Sequence, residues 1–177
     1  MRSNHFQKLF LLGLIIIPGI LFARGLILKL TRTPPNYSQV EGRLWLGGAE
    51  PVPPADTEVV INLSPVNQNK YDVQVHRWLD VADAGAAPPV EWLQEQVATI
   101  NEQLLLEKTV YVYDSTGNNQ AAFLVLAYIM FREKMTVDRA YGYLKARRES
   151  IAPARHFLDR LKDWEDFLKK PPEQKKE

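Results

Sequence analysis

Thr109 to Phe131 decides the fold: Thr-Val-Tyr-Val-Tyr, then Asp-Ser-Thr-Gly-Asn-Asn-Gln, then Ala-Ala-Phe-Leu-Val-Leu-Ala-Tyr-Ile-Met-Phe. Val110 to Tyr113 is a β-branched and aromatic run, the pattern of a buried strand. Asp114 to Gln120 is small, polar and centred on Gly117, the pattern of a tight loop. Ala121 to Phe131 carries no charge and is strong in helix formers, so this helix belongs inside a domain. Strand, polar loop and buried helix in this order make a nest. Successive backbone N–H groups converge at a helix N-terminus, where an anion is favoured.

Working outward, the segments on either side supply a sheet and its covering helices. Arg43 to Leu46 reads as a strand ending at Gly47-Gly48, and Pro51 to Asp56 as a proline-rich loop. Glu58 to Leu63 is a near-continuous apolar run of the buried-strand type. Val73 to Val81 alternates imperfectly and reads as a further strand. Asp83 to Pro89 is a loop of small residues and prolines. From Pro89 to Leu106 the apolar positions Val90, Leu93, Val97, Ile100 and Leu104 recur at helical spacing. Thr136 to Arg148 reads as a helix with Thr136 as its N-cap. Pro153 is expected at the first turn of a last helix that turns Phe157, Leu158, Leu161 and Trp164 inward. Strands separated by helices give an α/β domain, a central mixed sheet flanked by helices.

The chain organises into four parts: 1–30, a linker over 31–39, the α/β domain over 40–168, and a polar tail over 169–177. Within 1–30, Arg2 and Lys8 precede an uncharged run from Leu9 to Ala23; Arg24 interrupts it before Gly25 to Leu28. Counted strictly the run falls short of the ~20 residues a membrane span needs. Counted to Leu30, with Arg24 and Lys29 reaching toward the headgroups, it suffices. The expected reading is one N-terminal transmembrane helix, a retained single-pass anchor placing the protein at a membrane. A cleaved secretory signal is the competing reading, although Phe22-Ala23-Arg24 is a poor cleavage site. Basic residues flank the run on both sides, so orientation stays open.

Composition removes several classes of function. The formal net charge is +1, with 22 Lys and Arg against 21 Asp and Glu. That gives no electrostatic case for nucleic acid as a partner. There are no cysteines, so disulfides, thiolate metal sites and thiol nucleophiles are absent together. No metal-ligand cluster is apparent, and no cofactor is expected.

From about Val40 to Glu165 the order of pieces resembles the dual-specificity phosphatases of the protein tyrosine phosphatase superfamily. Arg43-Leu44-Trp45-Leu46-Gly47 and Val59-Val60-Ile61-Asn62-Leu63 are similar to the family's first two strands. Leu79-Asp80-Val81-Ala82-Asp83 stands where the family's general-acid Asp lies. Val110 to Tyr113 and Leu126 to Met130 resemble the strand and helix around its phosphate loop. Arg147-Arg148, then Ile151-Ala152-Pro153, resembles the C-terminal signature.

The resemblance also shows a departure. The family carries His-Cys, five residues, Arg, then Ser or Thr. Here Tyr113 stands for the His, Asp114 for the Cys, Gln120 for the Arg and Ala121 for the hydroxyl. A carboxylate is a weaker nucleophile than a thiolate. Gln120 lacks the charged bidentate fork that an Arg presents to a phosphoryl group. The resemblance therefore implies a pseudophosphatase: a phosphatase-like domain that binds or scaffolds a phosphoprotein or another protein partner. The alternative is an active phosphohydrolase that uses Asp114 or Asp83 in a non-standard mechanism. The candidate ligand-binding loop is Asp114, Ser115, Thr116, Gly117, Asn118, Asn119 and Gln120, with Asp83 as candidate general acid. The Asp114 carboxylate is expected to fold into its own nest. Asn118 and Asn119 are expected to accommodate positive φ, and Arg147-Arg148 to form a solvated helix end. The four tryptophans are expected in or at the edge of the core.

Overall fold

The computed structural model describes residues 34–170. The expected N-terminal span and the end of the polar tail lie outside the described residues. Among the described residues no helix is long and apolar enough to cross a membrane.

Five strands form one sheet: β1 (Tyr37–Glu41), β2 (Leu44–Gly47), β3 (Thr57–Asn62), β4 (Val75–Trp78) and β5 (Thr109–Tyr113). Among the described residues there are four helices: α1 (Val90–Leu105) lies between β4 and β5, and α2 (Gln120–Glu133), α3 (Val137–Lys145) and α4 (Arg155–Lys169) follow β5. The strand order is β1-β2-β5-β3-β4. Only β1 runs antiparallel to its neighbour; β2, β5, β3 and β4 are mutually parallel. The sheet is thus mixed, as expected.

β5 sits in the middle and is buried along its whole length. Its alternation divides the interior. Val110 and Val112 join Leu44, Leu46, Val59 and Ile61 in the large core with the helices. Tyr111 and Tyr113 join Val60 and Tyr71 in a second, aromatic cluster. β-branched residues suit the first face because they pack tightly on a pleated surface. Tyrosines suit the second because a phenol can be buried when its hydroxyl finds an acceptor; Tyr111 donates to the Gly48 carbonyl and Tyr71 to that of Glu50.

α2 is buried from Gln120 to Met130, as an uncharged helix should be. It emerges at Phe131, which is 41 % exposed. Phe123 on α2 stacks on Phe157 of α4 at 4.7 Å, with Trp92 of α1 parallel to it at 6.5 Å. Trp164 is buried with its indole N–H on the Ala127 carbonyl, while Trp78 on edge strand β4 is partly exposed.

Several boundaries differ from expectation, among them the helix expected to run to Arg148, which ends at Lys145. β1 occupies residues read as the end of the linker. Its sequence Tyr-Ser-Gln-Val-Glu buries only Val40 fully, so its pairing to β2, not its hydrophobicity, makes it a strand. β4 is confined to Val75–Trp78, since after Trp78 the chain leaves the sheet edge. The last helix starts beyond Pro153: Ala154 is its extended N-cap residue. Thr136 does cap α3, accepting from the Arg139 N–H at 3.5 Å.

Candidate functional site: the 114–120 loop

Parallel strands end on one edge. Gly47 pairs with Tyr113, Tyr113 with Asn62, and Asn62 with Trp78. Ligands in open α/β sheets meet this carboxyl edge, and here the 114–120 loop leaves β5 and turns into α2.

Asp114 is 2 % exposed. Its Oδ1 accepts from the Thr116 N–H at 2.8 Å, from the Gly117 N–H, and from the Thr116 hydroxyl at 3.3 Å. Its Oδ2 accepts from Asn119 N at 3.2 Å and Ala121 N at 3.0 Å. The expected nest has formed, and the carboxylate sits in it. The local cause is an Asx-type turn: a short acidic side chain reaches the N–H groups two and three residues on. The continuing chain then brings the first N–H groups of α2 to the same carboxylate, where the helix dipole favours negative charge.

The carbonyls of these peptide groups are fastened on the opposite side. Ser115 O accepts from Ala49 N at 3.4 Å and Asn118 O from Ala152 N at 2.9 Å. Thr116 O and Gly117 O accept from the Arg148 guanidinium, each at 2.8 Å. A peptide group points its N–H and C=O in opposite directions. Holding the carbonyls outward therefore aims the N–H groups of Thr116, Gly117 and Asn119 at Asp114.

Arg148 is thus a buried clamp, 6 % exposed, and not part of a solvated helix end. It also donates to Asn118 Oδ1 at 3.2 Å and to Asn36 Oδ1. Burial pulls its pKa below the ordinary arginine value, with Tyr111, Asp114 and Glu50 opposing. Arg147 does stay outside, stacked 3.5 Å over the Tyr143 ring.

The loop's positive φ belongs to Gly117, at +76°, and not to Asn118 or Asn119. The two asparagines are occupied as hydrogen-bonding links instead. Asn118 Oδ1 accepts from Ser150 at 2.8 Å. Asn119 Oδ1 accepts from Ala154 N at 2.8 Å, at the start of α4.

Asp83 and Gln120 come together. Gln120 Nε2 donates to Asp83 Oδ1 at 2.5 Å, and Asn119 Nδ2 donates to the same oxygen at 2.8 Å. Gln120 is buried while Asp83 is exposed. The two side chains that the resemblance sets at a phosphate-binding Arg and at a general acid are thereby tied to each other. Ser115 and Thr116 lie exposed on the rim. Tyr113 lies under the loop in the aromatic cluster, 5.4 Å from the Tyr111 ring. Burial pushes its phenol up to about 12. Among the described residues no group of three or more His, Cys, Asp or Glu side chains gathers as a metal site.

Sequence reasoning missed Asn36 and Arg148 as loop residues. Arg148 carried one usable signal, its place in the C-terminal signature; Asn36 carried none.

Comparison with known proteins agrees with this fold. Residues 53–167 match the family described as dual specificity phosphatase, catalytic domain. The chain is 33 % identical over 89 residues to human dual specificity protein phosphatase 16. That match covers 50 % of this chain and 13 % of the human protein, so the chain spans only a small part of that relative. Human DUSP28 superposes with a TM-score of 0.68 at 22 % identity, over 77 % of this chain and 97 % of that one. A human tyrosine phosphatase-like serine/threonine/tyrosine-interacting protein superposes at 0.67 and 21 % identity, over 74 % and 96 %. The family match covers most of the chain, and by it the chain belongs to the dual specificity phosphatase family.

Proposed function

We propose that this chain is a membrane-anchored dual-specificity phosphatase-like protein that does not hydrolyse phosphate esters and acts by binding or scaffolding a protein partner. The supporting observation is the Asp114 carboxylate, which accepts four backbone N–H groups of its own loop. A phosphoryl group would need those donors and would meet a like charge. Unit charges 4 Å apart repel by about 4 kcal/mol at an effective dielectric near 20, more for a dianion, and Gln120 offers no charge to offset it. Asp83 Oδ1 already serves as acceptor for two amides, which gives the alternative, hydrolysis through Asp83 or Asp114, no support.

Aryl-phosphate hydrolysis by the full chain, with and without Mg²⁺, tests the reading beside the variant Asp114→Cys/Gln120→Arg/Ala121→Ser. A silent wild type with a variant that turns over substrate is expected. Turnover by wild type that disappears in Asp114→Asn would overturn the proposal.

A further inference from the structure

Asn36 is the residue at which the polypeptide enters the domain, and it touches the loop. Its Nδ2 donates to Thr116 O at 3.0 Å. Its Oδ1 accepts from Arg148, whose guanidinium also holds Thr116 O. Its backbone carbonyl accepts from Gly48 N at 2.8 Å. A Cβ added to Gly48 would lie 2.5 Å from Asn36 Nδ2 and 3.2 Å from the Thr116 carbonyl. A Cβ added to Gly117 would collide with the Gly47 backbone and come within 2.7 Å of the Arg148 guanidinium. Four segments therefore meet without room for a side chain: the chain's first domain residue, the end of β2, the loop, and Arg148.

We propose that Asn36 is a positioning residue through which the start of the domain and the conformation of the 114–120 loop are coupled. The coupling runs through one peptide group. Thr116 O faces Asn36 and Arg148, while the Gly117 N–H of the same peptide faces Asp114. Rotating that peptide to free the N–H from Asp114 turns its oxygen away from Asn36. Releasing Asn36 removes one of the two side chains that hold the oxygen in place. Such coupling is reciprocal. Whatever holds or displaces the chain before Asn36 biases the loop, and whatever engages the loop biases that chain. The proposal is independent of whether the loop hydrolyses phosphate.

Amide hydrogen exchange on the full chain tests it, with Val110 and Val112 of β5 as internal reference. Asn36→Ala should speed exchange of the Thr116 and Gly117 amides about tenfold, the scale of one lost hydrogen bond, with the β5 amides unchanged. Asn36→Asp keeps the acceptor for Arg148 but sets a carboxylate oxygen against Thr116 O in place of the donor, and should likewise speed exchange of the Thr116 and Gly117 amides; it serves if the alanine variant folds poorly. In the reverse direction, Asp114→Ala, which removes the acceptor of the Gly117 N–H, should speed exchange of the Gly48 amide, which reports on Asn36 directly. In the double variant Asn36→Ala/Asp114→Ala the increases should fall short of the product of the single effects. Unchanged loop exchange in the Asn36 variants, acceleration shared equally by β5, or effects that simply multiply would each overturn the coupling.

Discussion

Replacing Asp114 by Asn separates the carboxylate's role from its shape. The two side chains are isosteric, but an amide has one acceptor oxygen and one NH2. Placed to best advantage, the oxygen keeps the Thr116 and Gly117 N–H groups. The NH2 then faces the N–H groups of Asn119 and Ala121, now 3.2 and 3.0 Å from an acceptor oxygen. Two charge-assisted hydrogen bonds become donor–donor contacts at a site only 2 % exposed. Bonds to a charged group contribute about 1.5–3 kcal/mol each, and an orphaned buried donor costs about 1–3 kcal/mol. Because these overlap and the loop relaxes, the expected loss is about 3–5 kcal/mol. For a domain of this size that lowers the thermal midpoint by roughly 10–15 °C. Urea unfolding of the full chain, with Ser115→Ala as an exposed control expected within about 0.5 kcal/mol, measures it. A loss below about 1 kcal/mol with an unchanged denaturant slope would refute the view that Asp114 holds the loop together.

Gly117→Ala should cost at least about 3 kcal/mol. Its φ of +76° strains an L-residue, and the new methyl meets the Gly47 backbone, which cannot swing aside as a side chain could; the urea midpoint reads this directly. Arg148→Lys should lose about 2–3 kcal/mol in the same assay, because one ammonium cannot reproduce a planar fork spread over Thr116 O, Gly117 O and two side-chain oxygens. Burial lowers the pKa of His76 below its ordinary value, against a hydrogen bond with the Gln68 backbone. The unfolded chain then binds the proton more readily, so this contribution is complete above about pH 6.5 and fades on acidification. His76→Gln should flatten the slope of stability against pH below about 6.5, measured as urea midpoints from pH 6.5 downward.

The parts of this site that sequence made legible are those whose cause is local. β5, the loop and α2 are contiguous, and each is made by its own composition: β-branched residues, then small polar ones, then an uncharged helical run. Asp114 could be placed in its nest from sequence because the turn is closed by an acid and the N–H groups just after it. Gln120 and Asp83 needed the family's spacing to be set side by side, since 37 residues separate them. Asn36 was out of reach, and Arg148 was marked only by the C-terminal signature, because their partners are set by topology. Arg148 lies 112 residues from Asn36 and 32 from Thr116. Neither Pro-Pro-Asn-Tyr nor Ala-Arg-Arg-Glu carries a period or motif that tells a buried guanidinium from a solvated one.

The same reasoning explains why the asparagines misled. Asn tolerates positive φ, but a loop with a glycine at its centre needs only one such residue, and Gly117 supplies it. Asn118 and Asn119 were then free for long-range bonds to Arg148, Ser150, Ala154 and Asp83. The loop thus binds inward to one carboxylate, and outward its carbonyls accept from the Arg148 guanidinium, the Asn36 amide and the Ala49 and Ala152 N–H groups. Arg148, a cation kept beneath the loop, contributes to its geometry without offering a charge at its mouth. A loop built this way keeps its N–H groups committed to the chain's own acid.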